Sequence, residues 1–252
     1  RGGGEEAPDA QAGAPNGADG AEGYTVDGMP ARQPGEPFSD VEAKLIVAAA
    51  RDRLEAAGVF REIDARTQRT LRRVLSAFRD KRVGPHLFGG TDGYGHGDMG
   101  RETLDEIYAQ LFGAEAALIR IQCFSGTHAI ACALFAVLRP GHEMLAISGK
   151  PYDTLEEVIG SRKEDPDLVP DGMTGSLDDF GVTYKEIALL EDGAFDLDKI
   201  DEALKNPNTR LVHIQRSCGY QWRPSIPVQK IGEVIAFVKE RRDDVVVFVD
   251  NC

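Results

Sequence analysis

The sequence predicts an α/β fold, a mainly parallel sheet with helices on both faces, preceded by N-terminal helices. Three observations predict it. From Arg101 onward, helical and strand patterns alternate along the chain. The strand segments are near-continuous apolar runs, as in strands buried on both faces, and Val245-Val246-Val247-Phe248-Val249 is the clearest. Residues 1–37 hold Gly, Ala, Pro and acidic side chains with almost nothing to bury, so they read as a disordered leader set apart from the fold. At 252 residues, 42% hydrophobic and 28% charged, the chain can bury one sizeable core.

Ser39 and Glu42 form the S-x-x-E capping-box pattern, after which Val41, Leu45, Ala48 and Ala49 share a helical face up to Gly58. A second helix is predicted over residues 60–79, carrying Ile63, Leu71, Val74, Leu75 and Phe78 inward, so residues 38–84 form an N-terminal helical segment. Leu104, Ile107, Tyr108 and Leu111 then keep the spacing of an amphipathic helix. Residues 116–123 read as a short apolar strand, and residues 128–138 as a helix that is apolar almost all the way round, which predicts burial. Arg139-Pro140-Gly141 ends that helix. Further strands are predicted at 143–148, 183–188, 210–215 and 245–249, and helices at 154–159, 197–204 and 227–241. Residues 85–252 thus read as one sheet-containing domain. No closing element follows the terminal strand, so the chain is expected to be the front part of something longer.

A formal net charge of −13 gives no long-range field to attract nucleic acid or an anionic membrane, so neither is an expected partner. Small-molecule chemistry is the better default. Arg61, Arg66, Arg69, Arg72, Arg73, Arg79 and Arg82 cluster around the second helix, but in an acidic protein a solvated face or a subunit contact outweighs RNA binding. Cys123, Cys132, Cys218 and Cys252 lack the spacing of a zinc site. No metal is expected, and the cysteines read as reduced thiols of an intracellular protein. No apolar run approaches bilayer length, and no signal-peptide core is present. Acidic residues in the leader argue against a complete transit peptide, which leaves the cytoplasm or an organelle, a plastid included.

Gly95-His96-Gly97-Asp98-Met99-Gly100 is a literal G-x-G-x-x-G, but a dinucleotide site needs a strand directly before it and an acid ending the next strand. Gly84 and Pro85 interrupt the preceding segment, and Glu115 precedes the following apolar run instead of ending it. The match reads as accidental. A better phosphate site is Ser125-Gly126-Thr127, where small residues turn the chain into a helix whose N-terminal amides are free. Ser and Thr are also ordinary N-caps, and the segment alone does not decide between the two readings. Tyr152, in Gly149-Lys150-Pro151-Tyr152-Asp153-Thr154 after the next strand, offers a face that could stack on a planar ring, although a lone loop Tyr is usually packing. Asp250 follows five uncharged strand residues and needs a cationic partner if buried. A protonated ring nitrogen is such a partner. Phosphate anchor, aromatic face and strand-end acid, in that order, are the parts of a pyridoxal 5'-phosphate site, in which the acid keeps the ring nitrogen protonated.

Five ordered blocks make a resemblance specific: Tyr94-Gly95-His96-Gly97-Asp98-Met99-Gly100-Arg101-Glu102-Thr103-Leu104, Ser125-Gly126-Thr127-His128-Ala129-Ile130, Gly149-Lys150-Pro151-Tyr152-Asp153-Thr154-Leu155, Gln215-Arg216-Ser217-Cys218-Gly219-Tyr220 and Val249-Asp250-Asn251-Cys252. From about Phe38 to the end, the chain resembles the aluminium resistance branch of the methionine gamma-lyase family, related to the cystathionine lyases. The resemblance implies the large domain of a fold type I, pyridoxal-phosphate-dependent enzyme, incomplete here. It implies that Ser125, Gly126 and Thr127 hold the cofactor phosphate, that Tyr152 stacks on the ring and that Asp250 pairs with the ring nitrogen. Tyr152 and Asp250 are the implied catalytic residues. Ser217 lies on a fourth loop that reaches the cofactor in relatives, where Ser217, Tyr220 and Arg223 are alternatives. Tyr94 matches a tyrosine that crosses to the neighbouring subunit's phosphate in a homodimer or homotetramer. His96 stands near the place of a missing arginine.

The lysine that attaches the cofactor in this family falls past Cys252, and Lys150 matches a position with a different role. The implied activity is carbon–sulfur lyase chemistry on a small sulfur amino acid, by beta- or gamma-elimination, with this chain alone inactive. Two alternatives remain at this stage. One is a non-catalytic fragment or degenerate homologue that assembles through its arginine-rich helices; the weaker is a nucleotide-binding α/β protein using Ser125–Thr127 for phosphate.

Overall fold

The computed structural model describes residues 37–91, 97–161 and 175–251. Two compact units divide between Ile119 and Arg120.

The first unit is helical: α1 (Asp40–Ala56), α2 (Val59–Asp80), a 3-10 turn (Pro85–Leu87) and α3 (Met99–Phe112). The expected capping box starts α1. Ser39 Oγ accepts from the Glu42 amide at 3.3 Å, and the Glu42 carboxylate accepts from the Ser39 amide at 2.8 Å. Asp98, inside the literal G-x-G-x-x-G, is the N-cap of α3 and accepts from the Arg101 amide at 3.0 Å. Two basic residues of the arginine-rich segment serve α3. Arg73 donates to the Leu111 carbonyl at 2.7 Å, where α3 leaves carbonyls unpaired, and Lys81 pairs with Glu106 at 2.7 Å.

Gly100 has a packing reason to be glycine. A Cβ there would stand 2.3 Å from the Leu87 carbonyl oxygen, a backbone atom that cannot rotate away. Gly100→Ala is therefore expected to destabilise the first unit by about 1–3 kcal/mol, read as a lower urea midpoint at unchanged slope. An unchanged midpoint would show that α3 and the 3-10 turn separate easily.

The predicted burial of the first two helices is not observed. Only Ala77 of α2 is buried, while Val41, Leu45, Ile63, Leu71, Leu75 and Phe78 are exposed and Val74 is half-buried. Their apolar stripes are real, but within this unit the described elements offer too little surface to cover them.

The second unit carries a four-stranded, all-parallel sheet in the order β2-β1-β3-β4: β1 (Glu143–Ala146), β2 (Thr183–Glu186), β3 (Thr209–Gln215) and β4 (Val246–Asp250). Helices α4 (Gly126–Val137), α5 (Asp153–Ile159), α6 (Leu197–Leu204) and α7 (Val228–Arg241) cover it. Alternate strand residues face opposite layers. Met144, Leu211 and Phe248 pack against Leu134, Leu138, Leu155 and Ile159 of the α4–α5 layer. Leu145, Ile147, Val212 and Ile214 pack against Ile200, Leu204, Ile231, Val234 and Val238 of the α6–α7 layer. Helices on both faces of a parallel sheet are thus observed, as the apolar runs predict.

Two predicted features change. Residues 116–123 form no strand: among the described residues no ladder partner stands beside them, the Ile119 amide bonds to the Asp105 carboxylate at 2.7 Å, and Leu118 and Ile121 are exposed. An apolar run without a neighbouring strand has nowhere to place its amides. Helix α4 is also not buried all round. Leu134 is fully buried on the sheet side, whereas Ala129, Cys132, Phe135 and Ala136 are exposed, because the sheet covers one face only. Strands β1 and β2 end earlier than predicted, but the Ile147 and Ile187 amides still bond across to His213 and Ala146, so the ladder frays at that edge. No helix among the described residues is long and apolar enough to cross a membrane.

Candidate active site

Parallel strands bring all their C-terminal ends to one edge of the sheet, where the loops leading to the covering helices gather. Four segments of the second unit meet there. Ser125 caps α4, its Oγ accepting from the His128 amide at 3.1 Å, and a Cβ built at Gly126 would meet no atom within 4 Å. The N-terminus of α4 therefore faces open space with amides outside the helical ladder, a ready anion site. The preceding turn is held by His128, whose Nδ1 accepts from the Phe124 amide at 3.3 Å while the two rings stack 5.8 Å apart.

Thr127 and Thr154 share a hydroxyl–hydroxyl bond of 2.8 Å, which ties the start of α4 to the start of α5. Just before α5, the Tyr152 amide donates to Gln215 Oε1 at 2.6 Å. Gln215 ends β3 and is held three ways: its amide donates to Ser148 Oγ at 2.8 Å, its Nε2 donates to the Ser217 carbonyl at 3.1 Å, and its Oε1 takes Tyr152. In the ladder, Gln215 stands directly opposite Asp250. Asp250 is 8% exposed and is the last residue of β4, not a residue beyond it as the apolar run implied. Its carbonyl accepts from the Arg216 amide at 2.9 Å. Thr127, Thr154, Tyr152, Gln215 and Asp250 thus form one continuous line along the sheet edge.

Ser217 lies on the loop after β3, where its carbonyl accepts from Gln215 and, at 2.7 Å, from Arg223. Tyr152 already stacks on an aromatic ring of this chain, that of Tyr220, with centroids 5.4 Å apart. Lys150 pairs with Glu156 at 2.9 Å, consistent with a structural role. Tyr94 and His96 lie outside the described residues.

Two residues at this edge carry no role in the sequence reading. Gln215 is the hub of the line, and its only signal is a polar amide ending an apolar strand. His213 is fully buried one strand pair inward, on the same sheet face as Gln215, stacked on Phe248 at 5.7 Å. Neither of its ring nitrogens finds a hydrogen-bond partner among the described residues, and burial pushes its pKa down to about 4, so the ring is neutral. Among the described residues no group of three or more His, Cys, Asp or Glu side chains could hold a metal ion, and Cys123, Cys132 and Cys218 are free thiols.

The Bacillus subtilis (strain 168) protein YnbB is 47% identical over 198 residues, covering 79% of this chain and 45% of YnbB. A solved structure from Clostridium novyi NT, named a carbon-sulfur lyase involved in aluminium resistance, is 40% identical with a TM-score of 0.74, covering 85% of this chain and 48% of that one. A Listeria monocytogenes structure, also named for aluminium resistance, is 43% identical with a TM-score of 0.73, covering 81% of this chain and 49% of that one. The chain spans about half the length of these relatives. Residues 45–252 match the family model described as methionine gamma-lyase, and the chain belongs to that family.

Proposed function

We propose that the protein containing this chain is a pyridoxal-phosphate-dependent carbon–sulfur lyase that acts on sulfur amino acids. The observation that carries the reading is the continuous line from the start of α4 through Tyr152 and Gln215 to Asp250. It offers a phosphate, a planar ring and a cationic ring nitrogen their complements in that order.

The residues fit this group. Gly126 leaves open space at the N-terminus of α4, and the amides there, with the Ser125 and Thr127 hydroxyls, suit a phosphate. Tyr152 supplies a flat apolar face. Asp250, an acid at 8% exposure on the end of an apolar strand, suits a cation. Ser217 stands on the adjoining loop, and Tyr94 is assigned to the neighbouring subunit's phosphate in a homodimer or homotetramer. When bound, the cofactor supplies an electron sink for charge developing on the substrate carbon. Asp250 then holds a proton on the ring nitrogen, Tyr152 fixes the ring plane, and the α4 N-terminus fixes the phosphate. The attaching lysine is assigned to the segment past Cys252.

The test uses the full-length protein. Visible absorbance of bound cofactor that borohydride removes while fixing the cofactor covalently to a lysine past Cys252, together with thiol release from a sulfur amino acid, is the expected result. Ser125→Ala combined with Thr127→Val should weaken cofactor binding roughly tenfold or more, since each hydroxyl removed donates to a charged phosphate. Thermal protection by a nucleotide but not by pyridoxal phosphate would overturn the reading in favour of nucleotide binding, and no protection by either would favour a non-catalytic assembly role.

A further inference from the structure

We propose that Tyr220 is a positioning residue for Tyr152, fixing the plane of its ring; this rests on the proposed role of Tyr152. The two rings lie 5.4 Å apart at 24°, and the Tyr152 hydroxyl donates to the Tyr220 hydroxyl at 3.1 Å. A chance packing of two tyrosines would be expected to bury area, but Tyr220 is 82% exposed. Burial therefore contributes little to holding it there.

What holds it is the loop. The Arg223 guanidinium donates to the Gln215 carbonyl at 3.1 Å, the Ser217 carbonyl at 2.7 Å and Gln221 Oε1 at 3.1 Å. Gln221 Nε2 donates in turn to the Lys150 carbonyl at 3.1 Å, two residues before Tyr152. Gly219 turns the chain at φ +56°, and a Cβ there would stand 3.3 Å from Tyr152 Cδ2 and 3.2 Å from Gln215 Nε2. The loop is thus braced on the segment that carries Tyr152, and glycine allows it to lie flat against the Tyr152 ring. Of the three alternatives on this loop, Arg223 is occupied with main-chain carbonyls and Ser217 offers its carbonyl as a brace. Tyr220 alone reaches Tyr152 with a polar side-chain atom.

The experiment follows the Tyr152 ring by 13C-tyrosine resonances in the full-length protein without cofactor, assigned with Tyr152→Phe. Tyr220→Ala removes the stacked ring and should move the Tyr152 resonances, whereas Tyr220→Phe keeps the stack and should move them less. With cofactor added, Tyr220→Ala should change the circular dichroism of the bound cofactor, which reports ring orientation, whereas Tyr220→Phe should leave it near wild type. Unchanged Tyr152 resonances in Tyr220→Ala overturn the proposal. Wild-type protein that takes up no pyridoxal phosphate refutes the proposed function and leaves the tyrosine contact to be judged on its own resonances.

Discussion

Asp250→Ala in the full-length protein is expected to lower carbon–sulfur cleavage by roughly 10²–10³-fold, the usual scale for removing one buried charge partner from a site where charge develops. The carboxylate sits at 8% exposure at the end of β4, opposite Gln215, so it meets its partner in a medium that screens poorly. Without it, a cofactor ring in the proposed site would lose the group that keeps its nitrogen protonated and with it most of its capacity to accept charge. In the proposed site phosphate anchorage falls to a different element, the Ser125–Thr127 turn, so cofactor affinity should fall much less than turnover. Asp250→Asn separates charge from shape and should reproduce the loss of turnover. Steady-state rates of thiol release, beside a cofactor titration followed by absorbance, check both halves. Unchanged turnover in Asp250→Asn would remove Asp250 from the proposed chemistry.

His213 makes the protein acid-sensitive. In the unfolded chain its imidazole titrates near the ordinary 6.5, while burial holds it near 4 in the folded protein. A group whose folded pKa is depressed binds fewer protons folded than unfolded, so its contribution is complete above pH 6.5 and is lost as pH falls toward 4. The interval between the two values corresponds to about 3 kcal/mol, a large share of a domain's stability. Urea midpoints should therefore drop steeply between neutrality and about pH 4.5 in the wild type, and less steeply in His213→Leu. Near neutrality His213→Leu should be at least as stable as wild type, because it replaces two ring nitrogens without partners among the described residues by apolar atoms in an apolar layer. Parallel pH profiles of the two proteins would show that the ring is solvated in solution.

The α/β alternation is legible in the sequence because each strand of a parallel sheet writes a run of apolar residues, and β3 and β4 show it in Leu211-Val212-His213-Ile214 and Val246-Val247-Phe248-Val249. Residues 116–123 write a similar run and form no strand, since periodicity reports apolarity and not the presence of a pairing partner. The same limit explains α1, α2 and α4: an apolar face can be read, but what covers it cannot. At the candidate site, Asp250 stands out because a charge on an apolar run has few explanations, and Ser125–Thr127 because a small-residue turn opens a helix. Gln215 does not stand out, since a neutral amide at a strand end is commonplace and its value lies in three bonds, two of them to Ser148 and Tyr152 far away in the chain. Ser217, Tyr220 and Arg223 are alternatives by sequence for reaching the cofactor, and no sequence signal announces that Tyr220 stacks on Tyr152 and meets its hydroxyl at 3.1 Å.

The strand order carries a consequence for how the protein is made. Neighbours β1 and β3 are joined at one end by Thr209 and Glu143, 66 residues apart, and at the other by Tyr152 and Gln215, 63 residues apart. Closing such long loops is entropically costly and slow. During synthesis the Ser125–Thr127 turn and Tyr152 leave the ribosome well before Gln215 and Asp250 exist. Tyr152 lacks its Gln215 partner until the sheet closes, so under the proposed function cofactor capture would be a late event that reports completion of the fold.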